Sequence, residues 1–389
     1  MAATPMKRVL VVGSGAIGLR TALELSSRKQ VHVQLFSPRH PLHPSTCSMG
    51  AGGLWMPFHC DDPRTDRWAT ETLDELLDYT VAKESAEARL VEIVPTVKLM
   101  KELIQSTTLG EWTSDPRLKF QQLTVEMLSQ QNSVNRLRIP SEHELLNAGY
   151  RHAHLFFTPI VNATLMLQHL LERASEMLEE VDVPSAPTDE TTGMFESMQE
   201  MIEMAATKNC DAVVNCTGLA SRKLCHDDQM LGARGILLHY DRETVERRQS
   251  FVTGRDSDQA NTNDAAIMAE HAPWGSDTLP CYLVPRGPTI LVGGSYLEQD
   301  ARETISDEER VRLFQNSFNL GIDIDKSTPT SQWVGFRPYR PTVRCEIDSS
   351  FTHSPIKLIH NYGHGGSGWT VNVGAAKECA SLVREALQA

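Results

Sequence analysis

Lys7 to Val12 is a short apolar run, unbroken from Val9 through Val12, and it predicts a strand buried on both faces. Gly13-Ser14-Gly15-Ala16-Ile17-Gly18 follows at once. Leu19, Ala22, Leu23 and Leu25 then recur at helical spacing, and Val31 to Phe36 alternates like a second strand. Strand, glycine turn, helix and strand in this order make a βαβ unit. Helical periodicity returns over Trp68 to Lys83, Leu165 to Leu178, Met194 to Ala206 and Asp307 to Phe318. On the third of these, Met194, Met198, Met201, Ile202 and Ala205 share one face.

The remaining pattern is strand-like. Leu90 to Val94 reads as a short strand stopped by Pro95, and Asp211 to Cys216 as a buried strand ending in a turn at Thr217-Gly218. Ile236 to Tyr240 and Lys357 to His360 are two more. Tyr282 to Val284 and Thr289 to Val292 flank Arg286-Gly287-Pro288 as a hairpin. Pro38 to Pro57 is irregular and glycine-rich, and Pro184 to Gly193 reads as an exposed loop. Asp241 to Leu279 is long, charged and polar, which fits either a mobile lid over a substrate site or a disordered surface insertion.

The glycine turn carries the first chemistry. Gly13 permits the turn, Gly15 lets backbone approach a pyrophosphate, and Gly18 lets helix pack on strand. The helix start at Ala16, Ile17 and Gly18 would offer N–H groups and the positive end of its dipole to phosphates. An ordinary glycine turn is the plainer alternative. Where an acid would hold ribose hydroxyls after the second strand, the chain has Phe36-Ser37-Pro38-Arg39. Arg39 would contact adenosine or its ribose, or else mark NADP.

Composition narrows the classes. The 389 residues, 40% of them hydrophobic, are enough for two domains. A formal charge of -13 argues against nucleic acid or an anionic membrane as partner, while leaving a basic pocket open. No apolar run has the length of a membrane span. The eight cysteines include no Cys-x-x-Cys pair, so neither a metal site nor a disulfide framework is expected, and a reducing compartment is. The ends show no secretory signal and no C-terminal peroxisomal tripeptide; the expected location is cytoplasmic or peroxisomal.

Five segments carry a resemblance in one order along the chain. They are Gly13 to Gly18, Ala51-Gly52-Gly53-Leu54-Trp55-Met56-Pro57, Val214-Asn215-Cys216-Thr217-Gly218, Gly335-Phe336-Arg337-Pro338, and His360-Asn361-Tyr362-Gly363-His364-Gly365-Gly366. Together they resemble the D-amino-acid oxidase family over nearly the whole chain, except around residues 180–208 and 241–279. The resemblance implies an α/β fold. A Rossmann-like FAD-binding domain would be built from residues 1–60, 160–232 and 342–389. An α+β substrate domain with a large antiparallel sheet would use 61–159 and 233–341. FAD would be bound noncovalently, and a homodimer is compatible with the family.

The same resemblance assigns roles. Gly52, Gly53 and Leu54 would lie along the isoalloxazine, and Thr217 and Gly218 would close the nucleotide layer. Gly365, Gly366, Gly368 and Thr370 would serve the flavin, with the Gly366 carbonyl accepting from the substrate amine. Arg337 would hold the substrate carboxylate with two parallel bonds, and Tyr282 would meet the same group. A structural ion pair for Arg337 and hairpin packing for Tyr282 are the competing readings. Arg340 and Arg344 are expected in ion pairs, His364 is expected to be structural, and no residue acts as acid or base.

The implied reaction is oxidation of neutral D-amino acids to 2-oxo acids, ammonia and hydrogen peroxide, with oxygen as acceptor, as in D-amino-acid catabolism. Tyr296, after Gly293-Gly294-Ser295, stands where D-aspartate oxidases carry an extra arginine and favours a neutral side chain. Arg255 and Arg286 keep the acidic alternative open. A glycine or sarcosine oxidase and a non-catalytic flavin-binding protein are further alternatives. Two departures from the family stand out: Thr278 takes the place of a second lid tyrosine, and no strand is recognisable near residue 185.

Overall fold

The computed structural model describes residues 6–28, 31–57, 60–81, 89–104, 109–189, 195–248, 251, 263–351 and 354–388. From the amino end run β1 (Lys7–Val12), α1 (Ala16–Ser26), β2 (Val31–Phe36), α2 (Cys47–Gly50) and α3 (Thr65–Val81). Then come β3 (Val91–Met100), β4 (Gln121–Thr124), α4 (Val125–Asn135), β5 (Leu137–Arg138), α5 (Glu142–Asn147) and β6 (His152–Val161). The middle holds α6 (Ala163–Met177), β7 (Glu180–Asp182), α7 (Met198–Thr207), β8 (Ala212–Asn215), α8 (Ser221–Leu224) and β9 (Leu231–Asp241). After it lie β10 (Asn263–Asp264), β11 (Ala266–Ala269), β12 (Cys281–Arg286), β13 (Thr289–Gly293) and β14 (Leu297–Glu298). The chain closes with α9 (Asp307–Asn319), β15 (Ser331–Ile347), β16 (Lys357–His364) and α10 (Gly368–Gln388).

Strands β7, β2, β1, β8 and β16 pair in that order, all parallel. The unbroken apolar run of β1 follows from this position. Val9 and Val11 enter a core shared with α1, α3, α6 and α10, while Leu10 and Val12 enter a second core with α7. Both faces of the sheet are covered, so no alternation is needed. The other half runs β4-β6-β3-β11-β12-β13-β9-β15, antiparallel except where β11 lies parallel to β3. One face of this half packs on the core that includes Leu313 of α9 and Leu320 just after it. Its other face, with Val94, Ile160, Val284 and Leu291, looks toward the nucleotide half.

The two halves share one sheet. β15 pairs antiparallel with β9 on one side and β16 on the other. It therefore runs through the boundary expected between residues 341 and 342. Likewise α3, expected with the substrate half, buries Trp68, Leu73 and Leu76 in the nucleotide-half core.

Several sequence expectations change. Pro95 does not stop a strand: β3 continues to Met100. Its second neighbour, β11, joins only at Thr96, so on that flank Pro95 has no ladder bond to lose. The polar stretch 241–279 contains β11, whose four residues are all buried between β3 and β12. It is thus not a lid throughout, and the lid reading of 249–262, Phe251 apart, lies outside the described residues. Helix α7 starts at Met198, where the Ser197 hydroxyl accepts from the Glu200 N–H at 3.3 Å as an N-cap. Met194 lies outside the described residues. The strand not recognised near 185 exists as the three-residue β7 on the edge of β2. No helix among the described residues is long and apolar enough to cross a membrane.

Helix α10 crosses α3 so closely that a Cβ on Gly374 would run into the backbone of Trp68. Backbone cannot yield as a side-chain tip can, so Gly374→Ala should cost about 1–3 kcal/mol, read as a lower denaturation midpoint in urea.

Burial lowers several histidine pKa values, to about 4 for His154, about 4 for His239 and about 3 for His364. In the unfolded chain each titrates near about 6.5, so below that pH the unfolded state binds more protons. Their contribution is complete above about 6.5 and is lost as the pH falls toward 4. The melting temperature should therefore decline across this window before the carboxylates titrate, and His154→Gln should flatten the decline in scanning calorimetry.

Candidate active site

The ends of three parallel strands meet at one place: Gly13 after β1, Thr217-Gly218 after β8, and the turn after β16. Gly13 has φ +110, and its missing Cβ would strike the Cys216 carbonyl. Gly18 lies so close to the Gly13 carbonyl that a side chain there would push α1 off the sheet. Gly15 caps α1 with no side-chain bond. The Ala16 N–H is taken by Ser48 Oγ at 3.1 Å, leaving the Ile17 and Gly18 N–H groups without an acceptor among the described residues. Ser48 offered no signal in the sequence.

Ser37 and Arg39 are at the expected edge, but the Ser37 hydroxyl is used locally. It donates to the Arg39 carbonyl at 2.8 Å, and Ser14 Oγ donates to the same oxygen at 3.0 Å. The Thr217 hydroxyl likewise turns inward to Asn215 Oδ1 at 2.8 Å. Asn215 Nδ2 lies 3.3 Å from His360 Nδ1, and His360 Nε2 lies 2.8 Å from Asp348. That hydrogen bond holds the Asp348 carboxyl well below the usual range. Thr217 and Gly218 thus contribute backbone at this edge, with Gly218 at φ +58.

β16 turns near its end at Gly363, and the loop after it turns at Gly365, with φ +95 and +54. His364 is buried and held neutral by desolvation, as its structural reading requires. Gly366 is exposed beside buried Gly365 and Ser367. Thr370, on the first turn of α10, donates to the Met56 carbonyl at 3.2 Å and accepts from the Met56 N–H at 3.3 Å. It ties α10 to the Gly52–Pro57 segment.

The backbone here suits a flat dinucleotide-linked ring. A Cβ on Gly368 would meet nothing within 4 Å, and one on Gly52 only Val284 Cγ2 at 3.9 Å. Gly53, at φ +79, lies against the Val161 carbonyl, and Leu54 bridges to Ile160. Main chain therefore borders open space on two sides, with free helix N–H groups at the phosphate end. These residues fit FAD.

At the far end, Arg337 lies on β15 opposite Ala233 of β9. Its guanidinium covers Gly235, where any Cβ would fall 2.6–2.8 Å from the three terminal atoms. Sequence reasoning missed Gly235; a glycine inside a strand was the available signal. Arg337 Nη1 donates to the Ser295 carbonyl at 2.9 Å, and Nη2 lies 3.5 Å from the Tyr282 hydroxyl. No carboxylate pairs with it among the described residues. The Tyr282 ring leans across Gly293 and Gly294 for the same steric reason. Arg337 also stands 5.4 Å from the centre of the Tyr296 ring. By contrast, Arg340 pairs with Asp227 at 2.9 Å and Arg344 with Glu346 at 2.8 Å.

Arg286, the alternative partner for an acidic side chain, is buried and turned to the carbonyls of Met49 and Ala51. Arg255 lies outside the described residues. Thr278 is exposed, and its carbonyl accepts from the Tyr296 N–H at 2.8 Å, so it supplies backbone to the Tyr296 turn.

Comparison with known proteins agrees with this geometry. The family model described as FAD dependent oxidoreductase matches residues 8–382. The chain is 27% identical over 377 residues to a D-amino-acid oxidase of Streptomyces coelicolor, covering 96% of each. It is 25% identical over 389 residues to the human D-aspartate oxidase, covering 98% of this chain and 96% of that one. Among solved structures, glycine oxidase of Bacillus cereus superposes with a TM-score of 0.67 at 15% identity, covering 97% of this chain and 95% of that one. With five motifs converging on one cleft and a family match across nearly its whole length, the chain belongs to the D-amino-acid oxidase family of FAD-dependent oxidoreductases, and its cofactor is FAD.

Proposed function

We propose that the protein oxidises neutral D-amino acids to 2-oxo acids and ammonia, reducing oxygen to hydrogen peroxide. The observation that carries this reading is Arg337: a guanidinium with no carboxylate partner among the described residues, fixed over Gly235 beside the Tyr282 hydroxyl. A substrate carboxylate completes it with paired charge-assisted bonds, which orient as well as hold. The exposed Gly366 carbonyl accepts from the substrate amine, so two points fix the Cα–H direction. Bound FAD supplies the two-electron acceptor and passes the electrons to oxygen. The protein's part is orientation and exclusion of water, so no side-chain base is required. Hydride leaves Cα, a proton leaves nitrogen, and water hydrolyses the resulting imine.

Side-chain preference rests on Tyr296. Its hydroxyl is pushed up chiefly by burial, against the opposing charge of Arg337. An acidic substrate side chain there would meet a buried aromatic ring in place of a dedicated cation. The commitment of Arg286 to backbone carbonyls supports the same preference.

Arg337→Met should lower kcat/KM for D-alanine by about 30- to 1000-fold, or about 2–4 kcal/mol, with FAD still bound. Anaerobic flavin bleaching by D-alanine but not L-alanine provides the direct check. A variant as active as wild type, or a wild type bleached by neither isomer, would refute the reading. Tyr296→Arg should raise the D-aspartate to D-alanine ratio of kcat/KM at least about tenfold; an unchanged ratio would place the selectivity elsewhere.

A further inference from the structure

Tyr282, Val284 and Arg286 alternate along β12 and so share one face of the sheet. Tyr282 reaches Arg337, Val284 stands 3.9 Å from where a Gly52 Cβ would be, and Arg286 reaches the turn before Gly52. The three span this face from Arg337 to the segment around Gly52. Arg286 is only 6% exposed, and no carboxylate pairs with it among the described residues. Its Nη1 donates to the Met49 carbonyl at 3.2 Å and to the Ala51 carbonyl. Burial alone shifts it, pulling its pKa down to about 10, with no neighbouring acid opposing. It remains charged at neutral pH.

A trans peptide points its N–H opposite to its C=O. With the Ala51 carbonyl held by Arg286, the Gly52 N–H must point away from that guanidinium. That N–H has no acceptor among the described residues. A buried cation bonded only to carbonyl oxygens is costly unless something nearby takes up its charge.

We propose that Arg286 is a positioning residue for the flavin. It sets the peptide plane that directs the Gly52 N–H toward the cofactor ring, and its uncompensated charge favours the reduced, more negative cofactor. The two Nη1 bonds serve the first effect and the charge serves the second. The proposal needs FAD but no particular substrate, so it stands or falls apart from the D-amino-acid reading.

The test uses the purified holoenzyme, with Arg286→Met and Arg286→Lys beside wild type. FAD affinity is measured by fluorescence titration of the apoprotein, and the midpoint potential by dye equilibration without substrate. Arg286→Met should weaken FAD binding about tenfold and lower the potential by about 30 mV, tenfold in the two-electron equilibrium. Arg286→Lys keeps the charge and loses the planar Nη1 donor. It should hold the potential near wild type while FAD affinity and the visible flavin band still change. If Arg286→Met does not fold, Arg286→Lys decides: wild-type affinity and spectrum overturn the positioning role. A folded Arg286→Met with unaltered potential and affinity, and only a lower melting temperature, would leave Arg286 a purely structural residue.

Discussion

The double pairing of β15 governs the rest of the site. Antiparallel ladders to β9 and β16 hold it on both sides. A slip of one residue against β9 would turn Arg337 to the opposite face, where Arg234 is already bound to Glu309 at 2.7 Å. Proline in so central a strand demands a gap in the ladder. The register against β16 shifts between Tyr339 and Arg344, and Pro341 falls within that shift. The strand can thus carry Arg337 beside β9 and join the parallel sheet through β16.

Glycines set the depth of the site. Arg337 rests on Gly235, Tyr282 on Gly293 and Gly294, and the Trp333 ring on Gly50 and Gly335. Trp333 also donates Nε1 to the Pro44 carbonyl at 3.1 Å, linking β15 to the irregular segment before α2. Each large side chain lies flat because its neighbour has no Cβ, and together they keep two sheet halves at a fixed separation. A flat ring held between backbone and sheet needs that separation constant.

Charge is distributed unevenly among the arginines. Arg64, Arg234, Arg242, Arg340 and Arg344 are paired with carboxylates. Arg286 and Arg337 donate to main-chain carbonyls instead, Arg337 also approaching the Tyr282 hydroxyl, and both belong to the cleft. In a chain of formal charge -13, those two arginines, with no carboxylate partner among the described residues, make the cleft locally basic. Net charge describes the surface, whereas a single cleft is set by which few charges lack partners.

The sequence by itself determined the βαβ nucleotide unit, the hairpin at Gly287, helices α6 and α9, and the identity of Arg337 and Tyr282 as candidates. Those features are local: a run of apolar residues, a spacing of glycines, a turn, or a motif fixed in order. Tertiary structure decided what depends on distant partners. β11 is buried on both sides yet too short to show a period, so it was hidden in a polar stretch. Pro95 could continue a strand only because β11 joins one residue later. Neither the Gly235 shelf nor the Arg286 contact with the Ala51 carbonyl is encoded nearby. Each arises where segments far apart in the chain, one of them in the sheet, are brought within hydrogen-bond or van der Waals distance. Backbone direction, which decides what those side chains can do, is a property of the assembled sheet.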